Sequence, residues 1–116
     1  MNLKWPNFLI AEDDGAIVGV GQVKTIRDGT REVASIAVVP SRQRQGIGSS
    51  IVSSLLDRQG DRVLHLRCEL RIQGFYERFG FRRISRNEFP PHFARVTPFV
   101  NMLARLARTE IIVMRR

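Results

Sequence analysis

The stretch Gln43-Arg44-Gln45-Gly46-Ile47-Gly48 lies between an apolar, β-like run ending at Val39 and a helical pattern that opens at Gly46. A loop that enters a helix presents the first backbone N–H groups without intrahelical partners, at the positive end of the helix dipole. Glycine lets an anion approach that backbone closely. The stretch therefore reads as a phosphate cradle, and the segments on either side decide which fold carries it.

Upstream, the pattern is that of an antiparallel meander. Residues 8–11 form a short apolar run closed by Asp13-Asp14-Gly15, residues 16–26 are rich in Ile, Val and Gly, and residues 32–39 resume as a third strand after the Asp28-Gly29 turn. Pro40 ends that strand. Downstream, Ile47, Ile51 and Leu55, with Val52 and Leu56 beside them, make the i, i+4 stripe of a helix buried on one face, and Gly60 is its stop. Residues 63–67 then read as a strand, 72–79 as a short helix with Gly80 at C′, and 81–85 and 110–114 as further strands. Pro90-Pro91 argues against regular helix over residues 87–93, whereas Thr97 as N-cap and Pro98 at N1 open a helix through Met102, Leu103 and Leu106. Phe99, Val100, Leu103 and Leu106 of that helix are expected to cover the sheet, the alternative being a partner or membrane-surface helix.

With 116 residues, 43% of them hydrophobic, the chain is expected to fold as one domain over 1–116. No apolar run reaches the ~20 residues of a membrane span, and the first residues lack the apolar core of a signal peptide. A cytoplasmic protein with no membrane partner is therefore expected. The single cysteine, Cys68, excludes an internal disulfide framework and a cysteine-rich metal site, and no metal is expected. Lys and Arg number 19 against 11 acidic residues, a formal charge of +8 that attracts anions in general. The arginines are dispersed and form no long basic run, so nucleic acid is not an expected partner.

The order of these segments, with Gly74-Phe75-Tyr76-Glu77-Arg78-Phe79-Gly80-Phe81 in the short helix, resembles the GNAT superfamily of acetyl-CoA-dependent N-acetyltransferases. Its Gln/Arg-x-x-Gly-x-Gly/Ala loop is matched by Gln43, Gly46 and Gly48, and its Phe-Tyr-Glu-x-x-Gly-Phe segment by Phe75, Tyr76, Glu77, Gly80 and Phe81. The resemblance implies an α/β (α+β) fold, a mixed and mostly antiparallel sheet flanked by helices and splayed to admit coenzyme A. It implies that Gln43, Arg44, Gln45, Gly46, Ile47, Gly48 and Ser49 hold the pyrophosphate. Ile36, Ala37 and Val38 would bond the pantetheine arm in the manner of an added strand. Arg42 and Arg44 would add charge toward phosphate.

The reaction so implied is direct attack of an amine on the thioester of acetyl-CoA. The oxyanion that forms needs a preorganised donor, for which the resemblance nominates the N–H of Val38. The departing sulfur needs a proton, for which it nominates Tyr76 as general acid. An alkylamine with a pKa of about 10 must also lose a proton; Glu32 is ranked as the base, ahead of His65. Where many members have Asn, seven residues before the tyrosine, this chain has Glu69, which accepts hydrogen bonds but offers no amide donor. Cys68 reads as a small buried residue and not as a nucleophile.

Few residues precede the first strand, so the helices that usually precede it in the family are expected to be missing. Uncovered sheet surface then implies a homodimer. The acceptor would be an amine-bearing small molecule, peptide or protein, and His92, in the Pro90-Pro91-His92-Phe93 loop, could border it. The other functional class is a catalytically weak acyl-CoA-binding or regulatory module of the same fold.

Overall fold

In a computed structural model of the chain, residues 1–5 and 8–116 are described. They fall into two compact units, Met1–Lys24 with Val33–Arg62, and Thr25–Glu32 with Val63–Arg116.

The first unit is built on the meander. Strand β1 (Asn2–Lys4) pairs antiparallel with β2 (Leu9–Asp13), Leu3 opposite Ala11. Strand β2 in turn pairs with β3 (Ala16–Thr25). Asp14 and Gly15 make the β2–β3 turn at φ 51° and 79°, the two positive values that a tight turn matched to strand twist requires. Strand β4 (Arg31–Val38) follows, and helix α1 (Ile47–Gln59) buries Ile47, Ile51, Val52, Leu55 and Leu56, the stripe read from the sequence. Two glycines set how closely α1 lies on β3. A Cβ built on Gly19 would come within 2.8 Å of Ile51 Cδ1, and one on Gly21 within 2.6 Å of Ile51 Cγ2 and 2.7 Å of Ile36 Cδ1. Helix α1 ends at Gly60, φ 60°, where a side chain would be strained.

In the second unit, β5 (His65–Glu69) runs parallel to the start of β4, with Glu32 opposite His65. It pairs antiparallel with β7 (Ile111–Arg115) along its whole length, and β6 (Arg82–Arg83) lies on the other side of β7. Helix α2 (Gln73–Glu77) follows a 3-10 turn at Leu70–Ile72. Gly80 sits beyond α2 at φ 90° with its N–H on the Glu77 carbonyl, as its expected C′ role requires. Helix α3 (Pro91–Leu106) buries Phe93, Thr97 and Ala104. Phe93 packs with Ile84 and Val113, against which Ile26 and Phe89 also rest. Over the described residues the strand order is β1-β2-β3-β4-β5-β7-β6, a mixed and mostly antiparallel α/β arrangement as expected.

Three expectations are corrected. Helix α3 starts at Pro91, not at residue 97, and Thr97 is a buried mid-helix residue instead of an N-cap. Pro91 occupies the first helical position, where a proline loses nothing, and Pro98 is carried inside the helix. Phe99, Leu103 and Leu106, expected to cover the sheet, are exposed. The strand expected over residues 81–85 shrinks to Arg82–Arg83, because Ser85 and Glu88 form a capping box around a 3-10 turn at Arg86–Glu88.

Candidate functional site

The stretch read as a phosphate cradle belongs to the first unit, and its geometry begins in β4. Ser35 adopts φ 58°, a left-handed residue inside a strand, and it follows the adjacent buried pair Glu32 and Val33. A left-handed residue at that place bends the strand and re-aims the residues after it. Beyond it lie Ile36, Ala37 and Val38. In the first unit β4 is the last strand of the meander, so one row of its backbone donors and acceptors faces away from the strands of that unit.

The chain then makes a 3-10 turn at Pro40–Arg42, and Gln43 Nε2 donates to the Val38 carbonyl at 3.1 Å, closing the loop back onto β4. Arg44 (φ 64°) and Gly46 (φ 81°) are both left-handed. Such alternation turns successive N–H groups toward one side and makes an anion-binding concavity. Gly46 is the N-cap of α1 and offers no side chain to the helix, and the Ser50 N–H donates to the Gly46 carbonyl at 3.0 Å. The N–H groups of Ile47, Gly48 and Ser49 precede it and point out of the helix end. No acidic residue stands in the first turn, and a Cβ on Gly46 would meet nothing within 4 Å. The space in front of the loop is open.

The two flanking arginines differ. Arg42 Nη2 lies 2.6 Å from Asp13 Oδ2 and its Nε donates to Gln45 Oε1 at 2.9 Å, so Arg42 braces the loop against the β2 end. The same bond holds the Asp13 carboxyl below the usual carboxylate range. Arg44 is exposed. Of the pair, Arg44 is the guanidinium turned to solvent beside the cradle.

Tyr76, in the second unit, is buried in α2 with its ring edge-to-face on Phe75 (5.0 Å) and Phe81 (6.0 Å). Burial, with a further contribution from Cys68, pushes its phenol up to about 12, so it keeps its proton at neutral pH. Cys68 is likewise buried and raised to about 11, with Sγ 3.8 Å from Met114 Sδ, and is an inert thiol. Glu69 is ion-paired with Arg71.

Glu32 and His65, ranked as rival bases, are register partners across β4 and β5. Glu32 is buried and its Oε2 lies 3.2 Å from Arg67 Nε. The Arg67 guanidinium stands over the Phe93 ring at 5.1 Å, and His65 meets the same ring edge-on at 5.9 Å. Burial, then the charge of Arg115, lowers the His65 pKa below its ordinary value, which favours the neutral imidazole, and its Nδ1 is buried without a hydrogen-bond partner among the described residues. Arg67 was not a sequence candidate, although its place two residues after His65 puts it on the same face of a strand. His92 offers a backbone contact: its N–H donates to Asp28 Oδ2 at 3.1 Å.

A cleft of about 760 Å³ in the second unit, walled by α3, β7 and the segment after β6, contains none of these candidates; Arg86, Arg105 and Phe89 are among its lining residues. Among the described residues no group of three or more His, Cys, Asp or Glu side chains is placed to hold a metal, and no helix is long and apolar enough to cross a membrane.

Comparison with solved structures gives three informative likenesses. N-acetylglutamate synthase from Neisseria gonorrhoeae, complexed with coenzyme A and N-acetyl-glutamate, matches at TM-score 0.71 and 23% identity over 94% of this chain and 25% of that one. ElaA from Escherichia coli matches at 0.69 and 16%, over 94% and 66%. The ribosomal-protein-S18-alanine N-acetyltransferase from Escherichia coli matches at 0.64 and 21%, over 97% and 71%. The chain thus spans from a quarter to about seven tenths of these structures, and at such identities they establish the fold. No curated protein matches the chain. The family model described as an acetyltransferase (GNAT) domain matches residues 4–83, more than half of the sequence, and the chain belongs to that family.

Proposed function

We propose that residues 1–116 form one GNAT domain that transfers an acetyl group from acetyl-CoA to a primary amine. The cradle carries this reading. Its helix-end N–H groups, the left-handed pair Arg44 and Gly46, and the open space before Gly46 suit a pyrophosphate. Acetyl-CoA supplies an acyl thioester, whose transfer to an amine leaves an amide and a free thiol. Gln43, Arg44, Gln45, Gly46, Ile47, Gly48 and Ser49 would hold the phosphates, and the open backbone row of Ile36, Ala37 and Val38 would take the amide-bearing arm as an added strand. The Val38 N–H would donate to the acyl oxygen and Tyr76 would give its proton to the departing sulfur. Glu32 would take the amine proton, with Arg67 as the group it must release.

The acceptor is an amine of a small molecule, peptide or protein. That N-acetylglutamate synthase and a ribosomal-protein alanine acetyltransferase share the fold supports both kinds. A reducing, cytoplasmic setting accords with one buried free cysteine. A homodimer accords with the exposed Leu3, Trp5, Phe8 and Ile17 of the first unit. A concentration-independent monomer mass would remove the dimer from this reading.

The part-buried ion pair of Glu32 with Arg67 favours a second reading, a catalytically weak acyl-CoA-binding or regulatory module. An amine panel with acetyl-CoA and a free-thiol readout separates the two. Turnover that falls in Tyr76→Phe supports the enzyme; saturable coenzyme A binding without turnover on any amine supports the module. Equal activity of wild type and Tyr76→Phe on a good acceptor would refute the role of Tyr76.

A further inference from the structure

Helix α3 is apolar on two opposite faces. Its inner face buries Phe93, Thr97 and Ala104, and its outer face exposes Phe99 at 60%, Met102 at 55%, Leu103 at 50% and Leu106 at 84%. Those four positions follow the i, i+3, i+4, i+7 spacing of one helical stripe, opposite the buried one. A helix with apolar residues on both sides normally has something on both sides. The charge around the stripe says what the outer cover is: residues 91–108 contain Arg95, Arg105 and Arg108 and no Asp or Glu. Neither Arg95, Arg105 nor Arg108 has an ion pair among the described residues.

We propose that α3 is a membrane-surface helix that lays Phe99, Met102, Leu103 and Leu106 into the headgroup boundary of an anionic bilayer, its arginines on the lipid phosphates and carboxylates. This reverses the expectation of no membrane partner, which rested on the lack of a spanning segment. At this face a second copy fits poorly, because two such helices facing each other bring Arg95 and Arg105 against their like-charged counterparts with no acidic residue in the helix to offset them. A protein groove is not required either. Leu106 is 84% exposed, and Met102 and Arg105 stand at the edge of the cleft beside α3, so the row is accessible as it stands, and a fluid interface accepts an exposed apolar row without a matching cavity. The cytoplasmic leaflet is negatively charged, and clustered arginines near it add to the apolar insertion. This proposal is independent of acetyl transfer.

The test is cosedimentation of the full chain with vesicles of phosphatidylcholine alone or of phosphatidylcholine with phosphatidylserine. Binding is expected to the anionic vesicles at low salt, weaker at high salt, and lower by about tenfold in Leu106→Glu and in Arg105→Glu. Leu106→Trp gives a second measurement, since its fluorescence should shift to the blue with anionic vesicles beyond any change in wild type. No binding to anionic vesicles, or binding unchanged in both charge variants, overturns the proposal. So does a lipid-free dimer that Leu106→Glu dissociates, which would assign the stripe to a second copy.

Discussion

At the scale of single residues the loop that enters α1 was legible in the sequence because glycine spacing and a following helical stripe are local signals. Gly46 adopts φ 81°, a conformation in which a side chain costs roughly 1–2 kcal/mol and which glycine takes freely. Gly46→Val is expected to raise the KM for acetyl-CoA by about tenfold, with a smaller effect on kcat; steady-state kinetics with acetyl-CoA varied would show it, and an unchanged KM would remove Gly46 from the cofactor site. Tyr76→Phe keeps the edge contacts with Phe75 and Phe81, so its fold should survive while kcat falls by about a hundredfold. With its phenol at about 12, Tyr76 contributes no limb to a pH–rate profile in the neutral range, and one that vanished in Tyr76→Phe would contradict this. Arg67 and Phe93 around Glu32 were not legible, because a strand residue and a helix residue far apart in sequence meet only through tertiary packing. Neither was the fate of Arg42, whose partner Asp13 lies 29 residues away.

Among the elements, α1 was readable to its stop and α3 was not, and the difference is physical. The α1 stripe obeys one period and meets one surface. The α3 segment is apolar on two faces and carries Pro98, so a start at Thr97 was the natural reading until Pro91 proved to be the first helical residue. The group that fixes this start is Asp28, 64 residues from His92 and therefore not legible in the sequence. Its Oδ1 accepts the Thr30 N–H at 2.9 Å within the β3–β4 turn, and its Oδ2 accepts the His92 N–H at 3.1 Å, so a turn residue caps α3 from outside the helix. These bonds, the one from Thr30 first, lower the Asp28 pKa from 3.8 to about 2. A group depressed on folding stabilises the native state above its unfolded pKa and ceases to do so as pH falls through the folded value. Asp28 should therefore stabilise the protein fully above about pH 4, less between 4 and 2, and not below. Acid titration followed by circular dichroism should show Asp28→Asn less stable than wild type at pH 6, with the gap closing toward pH 2. A constant gap would place the effect elsewhere. In the first unit, Gly21→Val would drive a branched side chain into Ile51, Ile36 and Leu55 and cost about 2 kcal/mol by overpacking, visible as a lower denaturant midpoint.

For the molecule as a whole, two motifs in the right element order identified the family: the Gln43-to-Gly48 loop and the Phe75-to-Phe81 segment, set among three strands, a glycine-headed helix, a strand and a short aromatic helix within the matched residues 4–83. Net charge is the whole-molecule property that composition gives and single contacts do not. A field of +8 should steer an anionic co-substrate, and steering weakens as the Debye length shrinks from about 30 Å at 0.01 M salt to about 8 Å at 0.15 M. The local picture pulls the other way. Asp13 offsets Arg42, leaving the cradle its N–H groups, the α1 dipole and the exposed Arg44. If the global field dominates, KM for acetyl-CoA should rise several-fold over that salt range with kcat unchanged, and Arg44→Gln should reproduce only part of the rise. An acetyl thioester of pantetheine, which has no phosphate, should show no salt dependence. A flat response for acetyl-CoA would mean that backbone dipoles at the helix end hold the phosphates largely alone, because short-range N–H donors are screened far less by salt than exposed charges are.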